Sequence, residues 1–292
     1  MNMHMKTENT ADFSPRLSGG LSAVKQEFDF ERDGFTILRG VYSEEVLAPV
    51  RKLLTETIEY AERGLEDPFT RYYLNHRADQ GVLYDLYQRH PEMGDMARNP
   101  VILDALVPAL GPDILLYENS LVYKPKGKKN GVPFHQDFIS RPDEPLKVVA
   151  WMALDKVTKT GGALKVIPGS HKNGFLDFYR VHGETHHDRI DASKLDLSTV
   201  MHVELEPGDV LIFHQLIVHG SDEAHTDSLR LVYRVSYQGF DEIYVPRGAP
   251  LIMRGGGPAA LGKRFPQPYS PPQKKSLIRR ALNKFGRLLS AV

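Results

Sequence analysis

Apolar positions follow two different spacings along the chain. Val46, Leu47, Val50, Leu53, Leu54 and Ile58 recur at helical intervals, which predicts an amphipathic helix over 44–62. Ser43 stands where an N-cap belongs, and Glu44 and Glu45 fall in the first turn, where the helix dipole favours carboxylates. Further helical zones are expected over Val82–Arg89 and over Pro100–Leu110, the latter closed by Gly111-Pro112. Ahead of these, Asp33-Gly34 marks a turn and Phe35–Leu38 a short strand. From Ile114 onward the spacing is that of strands: Leu115–Tyr117, Leu121–Tyr123, Val132–His135, Leu146–Leu154, Ala163–Ile167, Met201–Leu205, Asp209–His214 and Arg230–Tyr237. Turn clusters separate them, among them the basic stretch Lys124–Gly131 and Thr160-Gly161-Gly162. Many short strands preceded by helices predict a mainly β fold with a helical annex, a double-sheet jelly roll.

With 292 residues and no internal repeat, the chain suits one large domain with additions. The expected divisions are a polar N-terminal arm over 1–27, a β domain over 28–258, and a segment over 259–292. The chain has no cysteine, which excludes disulfides, zinc fingers and iron–sulfur clusters and leaves His, Asp and Glu to hold any metal. Charged residues at 25% are ordinary for a globular protein, no apolar run reaches membrane-spanning length, and Met1–Gly20 lacks a signal-peptide core. The expected location is cytoplasmic.

Net charge is zero but unevenly placed. No Asp or Glu occurs from Ile243 to Val292, where basic residues accumulate. Within Lys274–Val292, Ile278, Ala281, Leu282, Phe285, Leu288, Leu289 and Val292 form one helical face flanked by Lys and Arg. Such a helix docks on the protein body or contacts the inner membrane surface peripherally, which would suit a lipid-linked substrate. Nucleic acid is not expected, since no recognition motif accompanies the basic stretch.

The candidate chemistry lies in Phe134-His135-Gln136-Asp137-Phe138. On a strand, His135 and Asp137 would point to one face. His219, from elsewhere in the chain, would complete a 2-His-1-carboxylate set, which suits non-haem Fe(II) and leaves positions open. The His-x-Asp pair alone is weak, because it recurs at His186/Asp188 and His225/Asp227. The wider pattern is more specific. Phe134–Asp137, Trp151, Gly161–Leu164, Ile167–His171, Gly208–Val210, Phe213-His214, His219–Ser221 and Arg230, in that order and with those gaps, resemble the phytanoyl-CoA dioxygenase family over roughly Asp33 to Tyr237.

That resemblance implies a double-stranded β-helix of the cupin-like kind and an Fe(II)- and 2-oxoglutarate-dependent oxygenase. His135, Asp137 and His219 would be the iron ligands, with 2-oxoglutarate and O2 at the open positions. Arg230, eleven residues beyond His219, would grip the distal carboxylate of 2-oxoglutarate with its planar fork, helped by the Ser221 hydroxyl. Trp151 would wall the cosubstrate pocket, and Tyr123 and Lys124 would face it. Arg234 lies roughly 13 Å along the strand from Arg230, so it would touch the other carboxylate or the substrate, or form a surface ion pair. His214 reads as structural. The implied reaction decarboxylates 2-oxoglutarate to succinate and oxidises an unactivated C–H bond of a small-molecule or lipid-linked substrate. Asp137 argues against halogenation, for which a small residue replaces the carboxylate. The competing reading is a jelly-roll binding protein or metal-dependent hydrolase using the same His/Asp cluster, which has no need of Arg230.

Overall fold

The computed structural model describes residues 24–63, 76–78, 80–124, 131–182, 188–225, 229–240 and 251–255. Its strands are β1 (Gln26–Glu27), β2 (Phe35–Leu38), β3 (His76–Arg77), β4 (Val82–Tyr84), β5 (Ile114–Lys124), β6 (Val132–His135), β7 (Lys147–Ala153), β8 (Leu164–Val166), β9 (Met201–Val203), β10 (Val210–His214), β11 (His219–Ser221), β12 (Arg230–Gly239) and β13 (Leu251–Arg254). The larger sheet runs β1-β2-β10-β7-β12-β5-β4-β3, with β13 also pairing with β5, and the smaller runs β6-β11-β8-β9. Antiparallel ladders that skip sequence neighbours in this way make a mainly β, cupin-like jelly roll.

Strand alternation sorts the larger sheet into two faces. Val148, Ala150, Met152, Val210, Ile212, Leu231, Tyr233 and Val235 pack on one side with Leu47, Leu54, Ile58, Met93, Met96, Ile102 and Leu106 from the helices Glu44–Arg63, Pro91–Ala97 and Pro100–Leu110. Phe35, Ile37, Val149, Trp151, Leu211, Phe213 and Val232 point the other way, onto Ala163, Val166, Val203 and Leu205 of the smaller-sheet side. The site lies within this second layer, between the sheets.

Glu44–Arg63 and Pro100–Leu110 match their apolar spacing. Gly111, at φ 78°, ends the latter in a conformation open to glycine. Val82–Arg89 does not form the expected helix. Val82–Tyr84 pairs with β5, Asp85 takes φ 62°, and only Leu86–Gln88 winds, as a 3-10 turn. An apolar run this short carries no information on period, and the exposed edge of β5 decides it. Leu115–Tyr117 and Leu121–Tyr123 are one strand rather than two, because Glu118, Asn119 and Ser120 continue the ladder with β12. Gln26 and Glu27, assigned to the N-terminal arm, pair with β2. The segment Lys274–Val292 lies outside the described residues. Among those described, no helix is long and apolar enough to cross a membrane.

Candidate active site

The two histidines are cross-strand neighbours: His219 on β11 is the register partner of His135 on β6, and their ring centroids are 4.2 Å apart. Each Nδ1 is held by a carbonyl two residues back, Pro133 at 2.9 Å and Ile217 at 3.0 Å. A carbonyl accepts only, so each Nδ1 carries the proton and each Nε2 keeps its lone pair for a metal. Asp137 sits beyond the end of β6, in a turn whose amide donates to Gln215 O at 2.9 Å. The same-face strand argument therefore does not aim it. Its Oδ1 lies 3.8 Å from His135 Nε2 and 4.0 Å from His219 Nε2. One donor atom from each of the three residues falls within a 4.8 Å circle, the only such cluster among the described residues.

The charge states suit metal binding. Burial, with His219 next, lowers His135 to about 3, so the ring is neutral at ordinary pH. Burial alone would raise Asp137, but the Arg234 guanidinium that donates to it outweighs burial and holds the carboxylate ionised. Two imidazoles and one carboxylate, buried and preset in tautomer, fit a ferrous ion with positions left open.

A cationic end adjoins this cluster. Arg230 on β12 is 3% exposed, and its Nε and Nη1 have no hydrogen-bond partner. Its guanidinium carbon lies 5.1 Å from the centre of the Trp151 ring. Burial lowers its pKa to about 10, with Asp155 opposing. Lys124, the register partner of Arg230, donates to Ser221 Oγ at 3.2 Å and thereby links the two sheets. Burial, then Arg230, lowers this lysine to about 7. Buried, unsatisfied guanidinium N–H groups with an ammonium and a hydroxyl beside them are a receptor for a carboxylate. Arg230, Lys124, Ser221, Trp151 and the three metal-binding candidates all line one cavity of about 270 Å³.

Tyr123 departs from expectation. It borders the cavity, but its ring belongs to the helix-side core and its hydroxyl meets His76 Nε2 at 2.7 Å. Adjacent strand residues cannot both face the same way, and Lys124 takes the inward parity. His214 is elsewhere, in a second cavity with its ring 5.3 Å from that of His171 and its Nδ1 accepting from the Leu216 amide. His186 and Asp227, from the two other His-x-Asp pairs, lie outside the described residues.

Arg234 forms no surface ion pair. It bridges Asp137 Oδ2 and Glu118 Oε1, both at 2.9 Å, with all three side chains at most 14% exposed. Sequence reasoning missed Glu118. The available signal was parity: it shares the inward face of β5 with Lys124 and interrupts an apolar strand.

The sequence profile described as Phytanoyl-CoA dioxygenase (PhyH) matches residues 30–232. A probable phytanoyl-CoA dioxygenase of Caenorhabditis elegans is 26% identical over 250 residues, covering 76% of this chain and 77% of its own. The peroxisomal phytanoyl-CoA dioxygenase of Mus musculus is 31% identical over 236 residues, covering 75% and 69%. Among solved structures, the non-heme monooxygenase ThoJ in its apo form superposes with a TM-score of 0.59 at 22% identity, covering 78% of this chain and 82% of that one, a likeness of fold. The matched stretch runs from Phe30, just ahead of β2, to Val232 in β12 and so takes in the three metal-binding candidates with Lys124, Trp151, Ser221 and Arg230, whereas Arg234 lies beyond it. This chain belongs to the phytanoyl-CoA dioxygenase family, the 2-oxoglutarate-dependent non-haem iron oxygenases that use Fe(II), 2-oxoglutarate and O2.

Proposed function

We propose that His135, Asp137 and His219 hold the iron, that Arg230 anchors 2-oxoglutarate, and that the enzyme oxidises an unactivated C–H bond of a small-molecule substrate. The observation that carries this reading is the pairing of the three-donor cluster with the unpartnered N–H groups of buried Arg230, in a single cavity. Iron held there would, with 2-oxoglutarate and O2, supply the oxidising power, the keto acid leaving as succinate and CO2.

The protein's share is positional. Arg230 presents N–H donors to the distal carboxylate, Lys124 beside it on β5 adds an ammonium, and Ser221 adds a hydroxyl from the facing sheet. The Trp151 ring, 5.1 Å from the guanidinium carbon, backs the cation. Nδ1–H groups donating to the Pro133 and Ile217 carbonyls keep both Nε2 atoms directed at the metal. Gln80, Tyr84, Ser120, Phe138 and Ser140 line the same cavity and supply the wall on which a substrate rests. A lipid-linked substrate is supported only by the basic amphipathic sequence of Lys274–Val292.

The test is succinate formation from 2-oxoglutarate by the full chain, with and without Fe(II). Wild type should release succinate only with the metal, and Arg230→Ala should lose it. Metal-independent or Arg230-independent turnover would sink the assignment.

A further inference from the structure

The two oxygens of Asp137 have different surroundings. Oδ1 faces the imidazole nitrogens at 3.8 and 4.0 Å, whereas Oδ2 accepts from Arg234 Nη2 at 2.9 Å. Arg234 is itself held at its other nitrogen by Glu118, also at 2.9 Å. The guanidinium fork thus spans two carboxylates, and the group of three retains one net negative charge for a cation.

The chain beyond Asp137 is clamped as well. Phe138 takes φ 56°, a left-handed conformation costly for a residue with a bulky side chain. Its ring lies 5.7 Å from the Arg234 guanidinium carbon, 4.9 Å from Lys147 Nζ and edge-on to Tyr117 at 5.4 Å. Lys147, fully buried, is fixed by Glu144 at 2.8 Å and by Pro145 O at 3.0 Å. Arg234 therefore contacts both the carboxylate and the ring that follows it.

An unrestrained aspartate can offer a metal one oxygen or both. Resting on the ligand assignment above, we infer that Arg234 is a positioning residue that keeps Asp137 a one-oxygen ligand and so holds a coordination position open for 2-oxoglutarate. Arginine suits this task because its fork is planar and its charge permanent, so it can fix the carboxylate's rotation and occupy Oδ2 at any working pH. Lysine, a point charge on a flexible stem, would hold the charge without fixing the plane.

The test uses the full chain loaded with Co(II), which reports coordination by its visible absorption. Co(II) affinity, 2-oxoglutarate affinity and melting temperature are measured for wild type, Arg234→Met, Arg234→Lys and Glu118→Gln. Arg234→Met should keep Co(II) affinity within about threefold but bind 2-oxoglutarate at least about tenfold more weakly, a loss of about 1.4 kcal/mol or more. Its Co(II) spectrum should change little on adding 2-oxoglutarate, because the second oxygen already fills the position. Arg234→Lys should fall between, and Glu118→Gln should shift the same way by less. Unchanged 2-oxoglutarate affinity in Arg234→Met would overturn the inference. So would a loss of Co(II) affinity, cosubstrate affinity and melting temperature together, which marks a purely structural ion pair. Failure of wild type to take up Co(II) would overturn the ligand assignment itself, and this inference with it.

Discussion

Replacing Arg230 by Met should move stability and cosubstrate affinity in opposite directions. In the cosubstrate-free protein the guanidinium is buried with two N–H groups unpaired, and its pKa falls from 12.5 to about 10. At about 1.4 kcal/mol per pKa unit, keeping it charged costs the folded state about 3 kcal/mol. Methionine removes that cost and still packs on Trp151, so the cosubstrate-free variant should gain about 1–3 kcal/mol, the lower figure allowing for lost contacts with Asp155 and neighbouring side chains. That corresponds to a rise of a few degrees in Tm for a chain of this size. Cosubstrate binding loses two charge-assisted hydrogen bonds, each worth about 1.5–3 kcal/mol, so affinity for 2-oxoglutarate should drop by at least about a hundredfold. Scanning calorimetry of the metal-free protein and titration calorimetry of 2-oxoglutarate into the Mn(II)-loaded protein measure the two effects. A Tm that falls by several degrees while affinity holds would refute the reasoning, because Arg230 would then be a structural cation with a partner already satisfied.

Lys124, lowered to about 7 by burial and by Arg230, must be charged to meet a carboxylate, and a bound carboxylate raises its pKa. Affinity for 2-oxoglutarate should therefore weaken as pH rises through about 7, and Lys124→Met should bind more weakly with that slope removed, as titrations across pH 6–9 would show. His214 is lowered to about 4 by burial, then by His171. The unfolded chain takes up this proton first, so the contribution to stability is present above about pH 6.5 and is lost as pH falls towards 4. It is about 1–2 kcal/mol after allowance for partial exposure, and denaturant midpoints of His214→Gln should show a correspondingly flatter acid limb. Asp137→Ala removes the only carboxylate of the donor cluster and should weaken Co(II) binding at least a hundredfold by titration, while far-ultraviolet dichroism stays unchanged. Deleting 274–292 should leave succinate formation intact and abolish sedimentation with anionic vesicles; equal vesicle binding by the truncated chain would remove the membrane reading.

The strands that carry chemistry were readable as short apolar runs bounded by turn signals. Val148 to Leu154 and Val210 to Phe213 are apolar at every position, so the runs mark strands without saying which side chains face the site; the sheet sends Trp151 and Phe213 inward and Ala150, Met152 and Ile212 to the helix side. Arg230 was readable from its interval beyond His219 within the wider pattern. Asp137 was readable as a residue but not as a geometry, since its direction is set by a left-handed Phe138 and by a guanidinium from β12, neither of which leaves a local trace. Glu118 is buried at 8% exposure because its partner arrives from a distant strand, and burial of a carboxylate by a non-local arginine has no periodicity. β11 has only three residues and includes a glycine, too short for alternation to register, yet it brings His219 to the site.

The pairing of His219 with His135 across β11 and β6 ties metal affinity to one correct alignment of two remote strands. A slip of a single residue between the two strands would leave the two imidazoles on opposite faces of the sheet and dissolve the cluster. Uptake of a divalent ion is then a stopwatch for folding: it marks the moment the smaller sheet locks into native alignment. Collapsed intermediates that already have their helices and larger sheet should stay blind to metal until that moment.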